Sequence, residues 1–534
     1  MKKLVIVLLV TLIGVGFVYA SGQQGGEASG SRVMPTPPGT FPVVEEKVTL
    51  KLFAPQYATV ENMDTNLLTL EYEEKSNVHI DWQLAPEQGF TEKRNLIFAS
   101  GDYPDAFIAS NIPPADQMLY GQQGVLIPHN DLIDEWTVHV KSVLERVEDL
   151  KKVLTATDGN IYTLGTDGKC YHCAMSQKLW MYTPWLEALG LESPKTTDEL
   201  YQVLKAFRDG DPNGNGDTTD EIPLAGATTG WNTSVVPFIM NSFIYDDGTD
   251  HLTIDNGDID VAFNKPEWKD GLAYLKMLND EELIDSTSFT MQIGQLKQII
   301  EKDGVVRVGT VPAGAQGSFI SWAGETWHDY WIVEPLVGPD GVQGARYAST
   351  AGPGRFAITS ASEMPEVAIR WVDWFYNWEG GVRSRIGREG YEWARAEPGE
   401  KAIDGSQAEW KKLTPIGTIQ NFFWGQGNWP QQFTHSKQGG GIIETQLYSA
   451  TNIMMEYRPD EYVLPLWVGG DDIQEYSQLR TDINDYVTES TARFITGGLD
   501  LGADWDAYLK TLDSMGADRY VELINTWYSA KYGN

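Results

Sequence analysis

Between positions 47 and 110 the sequence switches four times between two hydrophobic periodicities, and this alternation constrains the fold more than any other feature of the chain. "KVTLKLF" (47–53) alternates with period two, and "NMDTNLLTLEYEEKSN" (62–77) spaces its apolar residues as a helix does. "VHIDWQLAP" returns to the strand pattern, "TEKRNLIFASGDYP" to the helical one, and "DAFIAS" (105–110) to a strand again. Strands separated by helices must cross over, which gives a parallel α/β sheet. Ligands of such sheets bind beyond the carboxyl ends of the strands. The segments 54–57, 85–88 and 110–113 are therefore expected at a cleft, with Gln56 and Tyr57 as candidate ligand contacts. "NIYTLGTDGK" (160–169) reads as a strand leaving this part of the chain.

At 534 residues the chain exceeds what one hydrophobic core serves, so two or more domains are expected. "TTDELYQVLKAFRDG", opened by a Thr/Asp cap, and "PEWKDGLAYLKMLNDEELI" read as helices, and "GVVRVGTVPA" as a strand. "RFAITSAS" leads into the helical "PEVAIRWVDWFYNW", where Trp371, Trp374 and Trp378 fall at helical spacing and are expected in the core. The remainder is mostly helical, as in "QEYSQLRTDINDYVTESTARFITG". The net charge of −35, from 40 Lys+Arg against 75 Asp+Glu, makes nucleic acid or an anionic membrane surface an unfavourable partner.

Lys2 and Lys3 precede an apolar run over 4–19, and Ala20, Ser21 and Gly22 follow, the order of a secretory signal peptide cut after Ala20. No Cys lies near this site, so no lipid is attached there. Positions 21–42 are rich in Gly, Ser, Gln and Pro and are expected to form a disordered linker, with the fold beginning near Val43. Cys170 and Cys173, in "GKCYHCAMSQKLW", are the chain's two cysteines. In an exported protein this pair reads as a local disulfide, a redox dithiol, or half of a metal site with His172. The oxidising compartment favours the disulfide.

"DGDPNGNGDTTDEIPL" (209–224) places five acidic residues, two asparagines and three glycines in one loop. Ca²⁺ takes six to eight oxygens, which a short loop supplies when oxygen-bearing side chains recur at alternate positions and glycines permit the turn. Two registers compete. With Asp209 first, Asp211, Asn213, Gly214, Asn215, Asp217 and Asp220 take positions 3, 5, 6, 7, 9 and 12 of an EF-hand loop. With Asp211 first, Asn213 and Asn215 follow, Gly216 takes the glycine place, and Asp220 with Glu221 closes the shell. No helix pattern follows "DEIPL", so a fixed structural ion is expected rather than a sensor.

"CYHCAMSQKLWMYTPWLEALGL", "TTDELYQVLKAFRDGDPNGNGDTTDEIPL" and "DINDYVTESTARFITGGLDLGADWDAYLKTLDSMGADRYVEL" resemble the family 1 extracellular solute-binding proteins of ABC importers, in the oligosaccharide-binding subgroup that carries a calcium loop. The resemblance runs from about Lys47 onward. It implies a periplasmic-binding-protein type α/β fold, with two lobes, a multi-segment hinge and a cleft that closes on sugar without chemistry. It also implies the Asp211 register, with Asp211, Asn213, Asn215, Asp220 and Glu221 matching the family's loop. One additional residue between Gly216 and Asp220 leaves open whether Asp217 ligates by its side chain or its carbonyl. The lipid-attachment Cys of Gram-positive members is missing, which implies a free periplasmic protein. Lobe crossings are placed near Gly168, Gly341 and Gly387, giving 43–168 with 341–387 as one lobe and 169–340 with 388–534 as the other.

Carbohydrate clefts need aromatic platforms edged by polar groups. The candidates in loop-like contexts are Trp231, Trp322, Trp327, Trp424, Trp429 and Trp467, the last beside Asp471 and Asp472. In the family, segments following the "VVRVGTV"-like strand and preceding the long C-terminal helix line the cleft, which puts Trp322 and Trp467 first. The reading that follows is a monomeric binding subunit that captures an oligosaccharide and delivers it to a permease. The modest Arg count points to a neutral sugar. The alternatives are a secreted glycoside hydrolase or lyase, which needs two carboxylates at a set separation, and a calcium-dependent adhesin. No H-E-x-x-H, G-x-S-x-G or P-loop motif is present.

Overall fold

The computed structural model describes residues 33–57, 60–147, 150–167, 170–349, 351–414, 434–437 and 442–533. The signal segment, the linker up to residue 32, Trp424 and Trp429 lie outside these residues.

Strand β1 (Val48–Gln56) is followed by the helix Leu67–Ser76, β2 (Val78–Pro86), the helix Phe90–Ser100 and β3 (Ala106–Ile108). The strand–helix alternation is thus present. The first helix begins where the Asn66 side chain accepts the Leu68 N–H, and it ends at Asn77 in the left-handed conformation, φ 59°. β1 pairs in parallel with β2 and β3. Its Leu50, Leu52, Phe53 and Ala54 are at most 3% exposed, since helices cover both faces of a parallel sheet. β4 (Leu164–Asp167) leads out of this sheet.

A second sheet contains β5 (Lys178–Tyr182), β6 (Ile222–Leu224), β7 (Val308–Ala313) and β8 (Tyr330–Val333) in the order β8-β5-β7-β6. β7 runs parallel to β6 and antiparallel to β5. Trp180, Trp185 and Trp268 fill the core around it. The chain then returns: β9 (Ala351–Ile358) inserts antiparallel between β3 and β4, completing the first sheet as β2-β1-β3-β9-β4. The long helix Asp472–Thr496 packs against the helix Pro266–Asp280 on the second sheet's side. Just before it, Trp467 joins Phe53, Phe107 and Ala357 of the first sheet in one core cluster.

Two expectations are corrected. The linker is not disordered through residue 42: the Thr36 N–H reaches the Val43 carbonyl at 2.8 Å, and Arg370 reaches the Thr40 carbonyl at 2.7 Å, so the ordered chain starts earlier. Trp378 is not core. Trp371 and Trp374 are 1% and 5% exposed, but Trp378 is 39% exposed. The helix Pro365–Asp373 gives way to a 3₁₀ turn at Trp374–Tyr376, and a new helix starts at Trp378, so the helical phase that relates the three tryptophans is broken.

Candidate functional site

The acidic loop joins the helix Thr197–Asp209 to β6. Asp209 is the helix's last residue and its carboxylate pairs with Arg208 at 2.7 Å, outside the loop. Inside it, the Asp211 carboxylate accepts the N–H groups of Asn215 at 3.1 Å and Gly216 at 3.0 Å. Gly216 has φ +83°, which an L side chain rarely adopts. Asn213 and Asn215 each donate a side-chain N–H to the Asp220 carboxylate at 3.0 Å, and Arg307 approaches the same group at 3.0 Å. Asp217 turns toward Thr219, accepting its N–H at 3.1 Å and its hydroxyl at 2.6 Å, which lowers its carboxyl from the ordinary range.

Glu221 is buried, and neither carboxylate oxygen has a hydrogen-bond partner. Burial, aided by the charges of Asp220, Asp211 and Asp217, pushes its carboxyl up to about 7. A buried carboxylate without a donor is costly, and it is the arrangement a cation relieves. The donor set is all oxygen, from carboxylates and amides, and suits a hard divalent cation rather than a soft one. Asp211, Asn213, Asn215, Asp220 and Glu221 would hold it.

The other sequence candidates separate into groups. Trp231 is 39% exposed, and its ring lies over Gly314, where a Cβ would come within 2.3 Å of it. Trp322 is half-buried, edge-on to Trp327 at 4.8 Å, and seated over Gly317 in the same way. Tyr57 is half-buried and hydrogen-bonded to Arg355. The Gln56 amide folds onto its own loop, donating to the Val60 carbonyl at 2.6 Å. Asp471 is exposed ahead of the helix Asp472–Thr496 and makes no capping bond. Trp467 is 1% exposed and donates its indole N–H to the Val153 carbonyl at 3.1 Å. Its faces belong to the core, which corrects its place among the open platforms.

Cys170 and Cys173 are joined by a disulfide, so their sulfurs offer no thiolate to a metal. Between them, the buried His172 lies 6.0 Å from the Trp231 ring. Nearby, Tyr171 sits 5.5 Å from Tyr448 and donates to Asn452 at 2.7 Å.

Sequence reasoning missed the groups that face Tyr57. Arg355 and Arg385 both act on its phenol, which burial raises above its ordinary range. Glu444 acts in turn on Arg385 and forms an ion pair with Lys412 at 3.0 Å. Gln88, two residues beyond β2, bonds to Gln292 on the second sheet's side. Segment 110–113 also reaches across: Asn111, Ile112 and Pro113 line a cavity of about 400 Å³ together with Tyr245, Arg346 and Arg480. Arg355 lies in the middle of β9, the strand that pairs with β3, and that pairing is not written in any periodicity.

The bacterial extracellular solute-binding protein family matches this chain over residues 54–381. The chain is 28% identical over 529 residues to the fructooligosaccharide ABC transporter substrate-binding protein FusA of Streptococcus pneumoniae, covering 93% of this chain and 92% of FusA. The solved structure of S. pneumoniae FusA in complex with kestose is similar at a TM-score of 0.75 and 26% identity, over 90% of this chain and 99% of that one. The FusA EF-hand mutant in complex with fructo-nystose gives 0.74 and 25%, with the same coverage. The periplasmic-binding-protein type α/β fold follows from this likeness and from the two sheets, and the chain belongs to the bacterial extracellular solute-binding protein family.

Proposed function

We propose that this chain is the substrate-binding subunit of an ABC-type carbohydrate importer, taking an oligosaccharide between two sheet-centred lobes and presenting it intact to a membrane permease. The observation that carries this reading is the correspondence, over 93% of the chain, with a fructooligosaccharide-binding relative. The geometry supports it: Gln88, just beyond β2, bonds to Gln292 on the second sheet's side, and the exposed Trp231 lies 6.0 Å from His172. A sugar that touches both sides gains contacts only when they approach, so binding favours the closed form. The lobes are taken as 43–168 with 341–387 and 169–340 with 388–534. Trp231 and Trp322 are the described platforms, and Trp424 and Trp429 remain candidates by sequence.

The acidic loop holds a structural Ca²⁺ on Asp211, Asn213, Asn215, Asp220 and Glu221. The partnerless Glu221 carboxylate supports this, as does the mention of an EF-hand in a FusA variant. The protein is exported by its signal peptide and works in the periplasm as a monomer.

Isothermal titration against a panel of oligosaccharides, followed by chromatography of the recovered sugar, tests the reading. Saturable binding with intact recovery is expected. Binding to no glycan, or recovery of cut products, would overturn it.

A further inference from the structure

The cavity of about 400 Å³ is walled by the segment after β3, by segment 245–252, by segments 346–349 and 463–466, and by the helix Asp472–Thr496. Its volume is at the low end of small-ligand sites, which run from about 300 to 1,000 Å³, so it has room for the end of a chain and not for its length. The helix wall is fixed. Arg480 pairs with Asp250 at 2.8 Å, Asn484 donates to the same carboxylate at 2.7 Å, and Tyr476 is 2% exposed. The opposite wall is held by the buried Arg94, which donates to the carbonyls of Ser110 and Asn111 at 2.8 Å each. Ala109 and Asn111 stand there at φ 55° and 49°, and Asn232 and His251, across the cavity, both at 55°. These are four of the eight non-glycine residues with positive φ among the described residues, and such strain collects where a ligand is gripped.

The polar groups on these walls are only half used. Arg346 donates by Nη1 to the Asn232 side-chain oxygen at 2.8 Å and by Nη2 to the Thr249 hydroxyl at 3.1 Å. Its Nε–H and the Asn232 amide N–H, both buried, have no acceptor. Asp247 takes the N–H groups of Thr249, Asp250 and His251 on Oδ1 alone, none longer than 3.0 Å. The Asn111 side-chain oxygen accepts from Arg355, which leaves its amide N–H groups for a ligand. A sugar hydroxyl donates and accepts at once, so it answers unused N–H groups and a half-used carboxylate together. Asn232 adjoins Trp231, so one guanidinium links the cavity to that exposed platform. We propose that this cavity is the terminal subsite of the cleft. It takes the end residue of the oligosaccharide, whose hydroxyls bond to Arg346, Asn232, Asp247 and Asn111 while the following rings run out toward Trp231. This rests on the oligosaccharide-binding reading and narrows it to chains held by one end, because the helix wall lets no chain pass through.

The test pairs trisaccharides with their polymers, kestose with inulin, maltotriose with amylose and xylotriose with unbranched xylan, in titration calorimetry and sedimentation on the full mature chain. At least one trisaccharide is expected to bind, and its polymer to carry a single protein per chain whatever the chain's length. Arg346→Lys and Asn111→Gly should each weaken the trisaccharide tenfold or more; glycine keeps the left-handed backbone that position 111 requires. Asn111→Gly carries the test if Arg346→Lys fails to fold. Several proteins on one polymer chain, or unchanged affinity in Asn111→Gly, would overturn the inference and leave the transport reading standing. Failure of every one of these sugars to bind would overturn both.

Discussion

Acidification from pH 7 to pH 4 is expected to remove about 3 kcal/mol of stability through one residue, His129. The side chain is fully buried, and its Nε2 accepts the backbone N–H of Ile358 at 3.2 Å, so the ring is neutral with its proton on Nδ1. A second proton would set one N–H against another. Burial pushes the imidazole from 6.5 down to about 3. In the unfolded chain the ring titrates near its ordinary value of about 6.5. A depressed folded value means that the contribution is present above pH 6.5 and lost as pH falls toward 3. Within that window the unfolded chain binds one more proton, a slope of about 1.4 kcal/mol per pH unit. His172 and His435, each lowered to about 4 with burial as the main cause, act in the same window. The wild-type curve alone therefore does not isolate His129. His129→Gln keeps an acceptor and does not titrate. Urea midpoints measured from pH 4 to pH 7 should show a variant that is weaker at pH 7 but whose stability falls with a slope smaller by one proton. Parallel curves would refute the reasoning. At the other end, burial opposes charge on His251, but Asp246 at 2.8 Å and its acidic neighbours raise it to about 9. That contribution is present below pH 6.5 and lost as pH rises through 9, so maximum stability should lie between these limits.

Chelation should lower the melting temperature by several degrees, since a cation at a hundred times its Kd stabilises by about 2.7 kcal/mol; calorimetry with and without EDTA reads this, and Glu221→Gln should blunt the response. Trp467→Ala should cost about 3–5 kcal/mol in urea unfolding, as expected for a 1% exposed indole in the core. Trp231→Ala should change stability little and weaken sugar binding tenfold or more in titration calorimetry; the reverse pattern would exchange their roles. Asp373→Ala should cost about 2 kcal/mol in thermal unfolding, because its buried carboxylate accepts the N–H groups of Val138, His139 and Val140 at the start of the helix His139–Arg146.

The first sheet was legible because its first three strands are separated by helices and its edge strand β2 alternates buried and exposed residues, so period and order agree. The insertion of β9 between β3 and β4 was not, since a strand arriving from more than 180 positions downstream of β4 leaves no local trace of its register. Tryptophans were read least well. Trp467, next to Gly469 and Gly470, has the sequence surroundings of an exposed loop, yet those glycines let the chain pass against Met118, Thr157 and Trp527 while the indole enters the core. Trp378 has the spacing of a core residue, and one capping bond from Gly380 to Asn377 at 2.7 Å starts a new helix that turns it outward. The acidic loop stood out in the sequence because its oxygen-bearing side chains recur within one short stretch, 209–221. The charged cluster around Tyr57 was not, because its members lie on segments brought together only by the fold.

β7 explains why the loop and the cleft sit where they do. Its parallel partner β6 grows directly out of the acidic loop, Ile222 pairing with Val308 and Leu224 with Thr310. Arg307, immediately before β7, reaches Asp220 at 3.0 Å, so the loop is fastened to the amino end of this strand pair. Beyond the other end of β7 lies Gly314, on which Trp231 rests. The strand is six residues long, a separation of about 20 Å. A cation in the loop would therefore act on the amino ends of the strands, while a ligand stacked on Trp231 would meet the carboxyl ends, where the parallel strands open their loops. The two sites share a strand and no side chain. On this geometry an ion in the loop would stiffen the platform that carries Trp231 without reaching a sugar stacked on it, and its removal should be felt in the stability of the second sheet before it is felt in affinity.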